Sequence, residues 1–90
     1  MYTNSIFLRL RNTTQTYMID YCNGFRIHLS GSKQPLVGNL KIEEVIDFLE
    51  KNLINKSETN IDQFNSKHKI NIKYSAENIV PLLFALIISI

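Results

Sequence analysis

A run of twelve residues, Ile79-Val80-Pro81-Leu82-Leu83-Phe84-Ala85-Leu86-Ile87-Ile88-Ser89-Ile90, carries no charge and a single hydroxyl. Such a segment has to be buried, and where it is buried decides what the rest of the chain is free to do. It has three places to go: this chain's own core, the surface of a protein partner, or a lipid interface. A helix that spans a hydrocarbon core needs roughly 20 apolar residues. The run is therefore read as a core element first, an oligomer or partner interface second, and a membrane contact last. Its candidate interface side chains are Leu82, Leu83, Phe84, Leu86, Ile87 and Ile90.

The remaining pattern is that of a small mixed domain. Ninety residues with 44% hydrophobic and 20% charged content predict one globular domain over 1–90 rather than a disordered chain. Ser5 to Arg11 alternates, with Ile6, Leu8 and Leu10 on one side and Phe7, Arg9 and Arg11 on the other. That is the period of a strand. Thr16 to Cys22 and Phe25 to Ser30 are two further strands, joined through Asn23-Gly24, a strong hairpin signal because both residues tolerate positive φ.

A two-residue loop would set Cys22 opposite Phe25, Asp20 opposite Ile27 and Met18 opposite Leu29. The expected core face is then Met18, Cys22, Phe25, Ile27 and Leu29. Tyr17 and Tyr21 fall on the other face beside Arg26 and His28. The first strand stays open between two registers. A four-residue loop puts Ile6, Leu8 and Leu10 on the tyrosine face and Arg9 near Met18, and a three- or five-residue loop brings Arg9 and Arg11 beside Arg26 and His28.

Gly31 to Gly38 reads as a loop. Asn39 is the expected N-cap of a helix from Leu40 to Leu53, whose Ile42, Val45, Ile46, Leu49 and Leu53 form one apolar stripe. Residues 55–68 read as a polar loop with at most one helical turn, and 68–74 as a half-exposed strand. Ser75 or Asn78 would cap a terminal apolar helix, with Pro81 acceptable in its first turn. The expected fold class is α+β: a small antiparallel β-meander, one amphipathic helix, a fourth strand and an apolar C-terminal helix.

Charge is distributed unevenly. Residues 1–41 hold Arg9, Arg11, Arg26, Lys33 and Lys41 against Asp20, a balance of +4. Residues 42–62 hold Glu43, Glu44, Asp47, Glu50, Glu58 and Asp62 against Lys51 and Lys56, a balance of −4. A basic sheet facing an acidic helix is expected, and the two would attract.

Signatures of chemistry are weak. His28 and His68 belong to no ligand-spaced cluster, and Cys22 has no CxxC partner, so no metal site is predicted. On the expected register Cys22 and His28 project to opposite faces, which argues against a nucleophile and base pair. Gly31-Ser32-Lys33 lacks the upstream glycine spacing of a phosphate loop. The helix carboxylates are explained by a solvated face. No enzyme activity and no cofactor are expected.

The sequence thus predicts a non-enzymatic interaction module that binds a larger protein or assembles with itself. Its contact residues would be Tyr17, Tyr21, Arg26, His28, Arg9 and Arg11 on the sheet, together with the terminal run. Ile, Asn and Lys, all with A/T-rich codons, fill a third of the chain. That composition points to an A/T-rich genome, as in low-GC bacteria, their phages, organelles and some protists, and by association of size and source the module is expected to be an inhibitor, adaptor or accessory subunit, with a phage or mobile element as one candidate origin. The alternative is a nucleic-acid-binding protein using Arg9, Arg11, Arg26, Lys69 and Lys73. A third reading is a small subunit resting on a membrane complex through 79–90, although membrane contact is the least expected of the three. With one cysteine and no basic, apolar leader at Met1 to Ser5, the expected setting is cytoplasmic.

Overall fold

A computed structural model describes residues 5–10, 16–29, 32, 34–53, 59–64 and 69–88. Its architecture begins at the Asn23-Gly24 hairpin. Strands β2 (Thr16–Tyr21) and β3 (Phe25–Leu29) flank a connection of three residues, Cys22 to Gly24, rather than two. Asn23 and Gly24 do take positive φ, 55° and 121°. The closing pair, however, is Tyr21 with Phe25, followed by Asp20 with Arg26, Ile19 with Ile27, Met18 with His28 and Tyr17 with Leu29.

One extra loop residue exchanges every side chain between the two faces. Tyr17, Ile19 and Tyr21 therefore share a face with Phe25, Ile27 and Leu29. The expected core face of Met18, Cys22, Phe25, Ile27 and Leu29 is corrected accordingly: Phe25 and Ile27 are buried, Leu29 is half-buried, Met18 turns to the opposite face and Cys22 is exposed in the turn. The physical reason lies in Asp20. The shorter loop would have placed its carboxylate opposite Ile27 in the apolar layer, at a high desolvation cost. The longer loop sets it directly across from Arg26 on the other face.

The same parity governs β1 (Ile6–Leu10). It pairs with β2 through Ile6 and Ile19, and through Leu8 and Tyr17, so Ile6 and Leu8 join the tyrosine face, while Arg9 stands opposite Thr16 rather than near Met18. β4 (Val37–Leu40) adds to β3, with Phe25 opposite Leu40 and Ile27 opposite Val37. Gly38 and Asn39 together oppose Arg26 in a bulge, with Asn39 left-handed at φ 60°. On the far side of β1 lie β5 (Thr59–Phe64) and β6 (Lys69–Lys73). The result is one antiparallel sheet in the order β4-β3-β2-β1-β5-β6.

Helices α1 (Ile42–Asn52) and α2 (Ala76–Ile88) pack on the same face of that sheet. α1 starts two residues later than expected because Leu40 is held in β4. Its N-terminus is Lys41, whose N–H donates to Glu44 Oε1 at 3.0 Å. Val45, Leu49 and Leu53 enter the core, while Ile42 and Ile46 pack at its margin. α2 supplies Ile79, Leu83 and Leu86, at the i, i+4, i+7 spacing of one helix face. These residues close over Ile6, Leu8, Ile19, Phe25, Ile27 and Ile61 to form a single cluster.

Ser75 caps α2: its hydroxyl and its carbonyl both accept from the Asn78 N–H, at 3.0 and 3.1 Å. Pro81 therefore lies beyond the first turn, contrary to expectation. Lacking an N–H, it leaves the Glu77 carbonyl without its i+4 donor, a loss tolerable because Pro81 and Glu77 are exposed to water. Pro81→Ala restores that bond and removes a ring clash. It is expected to stabilise the protein by about 1–3 kcal/mol, read as a higher thermal midpoint. An unchanged midpoint would mean that the helix bends around the proline without strain.

Candidate functional site

The six sheet residues singled out from sequence do not form one surface. Tyr17 and Tyr21 lie half-buried under the helices. The Tyr17 ring meets Phe48 of α1 edge-on at 6.0 Å, and Tyr21 meets Phe25 at 5.0 Å. Arg9, Arg26 and His28 share the opposite, helix-free face, and Arg11 lies outside the described residues. The expected aromatic and basic face is thus corrected to a charged face without those tyrosines.

Each described arginine of that face is matched to a carboxylate. Arg26 donates from Nε to Asp20 Oδ1 at 2.9 Å and from Nη2 to Asp20 Oδ2 at 2.7 Å, a two-pronged pair across adjacent strands. The hydrogen-bonded carboxylate raises the Arg26 pKa above its ordinary value, against the opposing effect of burial. Arg9 Nη2 lies 2.8 Å from Asp62 Oδ2, and Asn71 donates Nδ2 to Asp62 Oδ1. Asp62 is thereby held between β1 and β6, its neighbours on either side.

His28 is not the exposed residue expected from sequence. It is buried at 4% exposure, with Nε2 3.4 Å from Asp20 Oδ1 but outside hydrogen-bonding geometry, and neither ring nitrogen has a hydrogen-bond partner among the described residues.

The terminal run divides between inside and outside. Leu83 and Leu86 are core residues, and Leu82 and Ile87 are half-buried against the core. Phe84 remains 51% exposed and Ile88 80% exposed. Together with the exposed Pro81 and Ala85 they form a stripe at i, i+3, i+4 and i+7 on the outer face of α2. Ile90 lies outside the described residues. Sequence reasoning missed Pro81, Ala85 and Ile88 because a segment apolar on every side shows no periodicity from which to choose the outward face.

Beside this stripe a shallow cavity of about 560 Å³ is lined by Tyr21, Phe25, Leu40, Phe84 and Ile87, with Lys41 at its rim. The hairpin turn closes one wall. Gly24 approaches Asn39 so closely that a Cβ there would lie 2.7 Å from the Asn39 Cα. Tyr74, buried at the junction of β6 and α2, donates its hydroxyl to Glu50 Oε1 of α1 at 3.3 Å.

Burial, and then the nearby Glu50 carboxylate, push the Tyr74 pKa up to about 12. An unfolded tyrosine loses its proton near 10. Stability from this group is therefore complete below pH 10 and falls as pH rises from 10 to 12. The expected loss is roughly 2–3 kcal/mol across that window. Tyr74→Phe is expected to flatten the decline in urea titrations at successive pH values, and an equally steep decline would reject the assignment.

Among the described residues, no three His, Cys, Asp or Glu side chains gather as a metal site. Nor is any helix among them long and apolar enough to cross a membrane. Compared with known proteins, the chain matches no family model, no curated protein and no solved structure.

Proposed function

We infer that this chain is a non-enzymatic protein-interaction module whose contact face is the outer side of α2. The observation that carries this reading is the exposure of Phe84 and Ile88 in line with Pro81 and Ala85, on a helix whose inner side is spent on the core. A helix apolar on all sides is normally covered on all sides. Water is a poor occupant of a continuous apolar stripe, and such stripes mark contact sites. The nucleic-acid alternative draws less support, since Arg9 and Arg26 are each matched to a carboxylate.

The test uses the double variant Phe84→Lys with Ile88→Lys. Ile88 faces water and Phe84 is half in water, so the fold is expected to be kept and the thermal midpoint to fall by no more than about 8 °C. The wild-type chain should associate in solution, or retain a defined protein when immobilised, and the double variant should do neither. If the double variant associated and retained proteins as the wild type does, the reading would fail. Binding of single-stranded oligonucleotide that falls steeply with salt and is lost in Arg9→Ala would replace it with the nucleic-acid reading.

A further inference from the structure

We propose that the β4 edge of the sheet binds an extended segment of a protein partner. That segment carries a basic residue, an apolar residue two positions on, and an acidic residue two positions further. The contact is separate from the outer face of α2. Strand β4 is the last in the sheet order, and among the described residues no strand lies beyond it. An open edge offers backbone donors and acceptors to an incoming strand. Alongside it runs a groove of about 280 Å³, lined by Val37 and Leu40 of β4 and by Glu44, Asp47, Phe48 and Lys51 of α1. The four helix residues stand at i, i+3, i+4 and i+7, which is one continuous face of α1 turned to the strand edge. A sheet edge beside side-chain pockets is a recurring peptide site: the ladder holds the backbone and the pockets select alternate side chains.

Charge decides what fits. Leu40 is joined to α1 through Lys41 alone, so the Glu44 and Asp47 carboxylates lie at the Leu40 end of the groove. Lys51 lies toward the Val37 end, and half-buried Phe48 forms the floor between them. Glu44, Asp47 and Lys51 are all exposed, and Glu44 spends Oε1 on the Lys41 N–H. Among the described residues neither Asp47 nor Lys51 is in an ion pair, although they stand one helical turn apart. Both charges are therefore available to a partner.

A segment running antiparallel to β4 enters at the Leu40 end, so its basic residue comes first and its acidic residue last. Alternation along an extended chain sets the first, third and fifth side chains toward the groove. Those five residues span about 13 Å, and Glu44 to Lys51 spans about 10 Å of helix, a difference that long charged side chains absorb. The bulge at Gly38 and Asn39 interrupts the ladder, so the side chains carry most of the selectivity. No segment of these ninety residues has the order basic, apolar, acidic at that spacing. The occupant is therefore a different protein rather than a second copy of this chain.

The experiment titrates the isotope-labelled full chain with the acetylated and amidated peptide Ser-Arg-Thr-Val-Thr-Asp-Ser. The charge-reversed peptide Ser-Asp-Thr-Val-Thr-Arg-Ser is run beside it. Amide resonances should shift saturably in β4 and along the Glu44 to Lys51 face, and the reversed peptide should bind about tenfold more weakly. Asp47→Lys should lose about tenfold in affinity. Glu43→Lys, an exposed acid outside this groove, should bind as the wild type does. Matching circular dichroism spectra of the two variants separate lost binding from lost fold. The double variant Phe84→Lys with Ile88→Lys should also bind the peptide normally, so this contact and the α2 reading fail independently. A peptide that never saturates, equal binding in both charge orders, insensitivity to Asp47→Lys, or shifts confined to other elements would each overturn the proposal.

Discussion

Leu83→Ala is expected to cost about 3 kcal/mol and to lower the thermal midpoint by roughly 12–24 °C. Leu83 is fully buried in the central cluster and stands on the inner face of α2, one turn from Ile79 and Leu86. Truncation removes the transfer energy of the lost methyl groups. It also leaves a cavity, because strands on one side and α1 on the other cannot both collapse into it. A chain of ninety residues has a total stability of roughly 5–13 kcal/mol, so the loss is a large share of the whole. Phe84→Ala, one residue along, removes a larger side chain that is half in water, and its cost should stay below about 1 kcal/mol. Urea unfolding of the two variants side by side is decisive. Equal losses would mean that α2 is not seated with Leu83 inward.

Gly24→Ala is expected to cost about 2–4 kcal/mol, from two causes that add. At φ 121° an L side chain is strained wherever it sits. Its Cβ would also lie 2.7 Å from the Asn39 Cα, a backbone atom that cannot swing aside as a side chain would. Relief would require the hairpin tip and the β4 bulge to separate, which would open the cavity between them. Gly38→Ala is the internal control. A Cβ there meets the Arg26 Cγ at 3.6 Å, an ordinary contact, and the change should fall within about 0.5 kcal/mol of neutral. If both substitutions were tolerated alike, the close packing of turn against bulge would be refuted.

How much of this was legible in the sequence depended on whether one local signal sufficed. The stripe of α1 and the alternation of Ile70 and Ile72 in β6 follow from a single periodicity, and both elements lie within two residues of their expected bounds. The α+β class followed from them. The face assignments of β2 and β3 required the parity of a turn, and Asn-Gly is compatible with either parity. Asp20 held the missing information, since its carboxylate is better placed across from Arg26 than across from Ile27.

β4 escaped notice because Gly38 and Asn39, poor strand formers, fill half of it and are accommodated as a bulge. β5 escaped because only Ile61 marks its inner side, between a buried Thr59 and Gln63. Both are ladder partners recruited by neighbouring strands rather than strands by intrinsic preference. For the candidate site, the terminal run was read as a core element first and an interface second, without a division between its sides. Which side faced outward depended on how the helix seats, and composition does not carry that.

The strand order has a kinetic consequence. The sheet consists of two meanders, β1 to β4 and β5 to β6, that meet only where Ile6 to Leu10 lies beside Thr59 to Gln63. Every other strand pairing links neighbours in the chain and can form early with little loss of chain entropy. The β1–β5 ladder cannot, because α1 and three strands are strung between its halves. Its closure is the slow, long-range event of folding. Until it occurs, β1 presents an unpaired edge carrying Ile6 and Leu8, and the newly made chain is most exposed to pairing with another molecule at that moment.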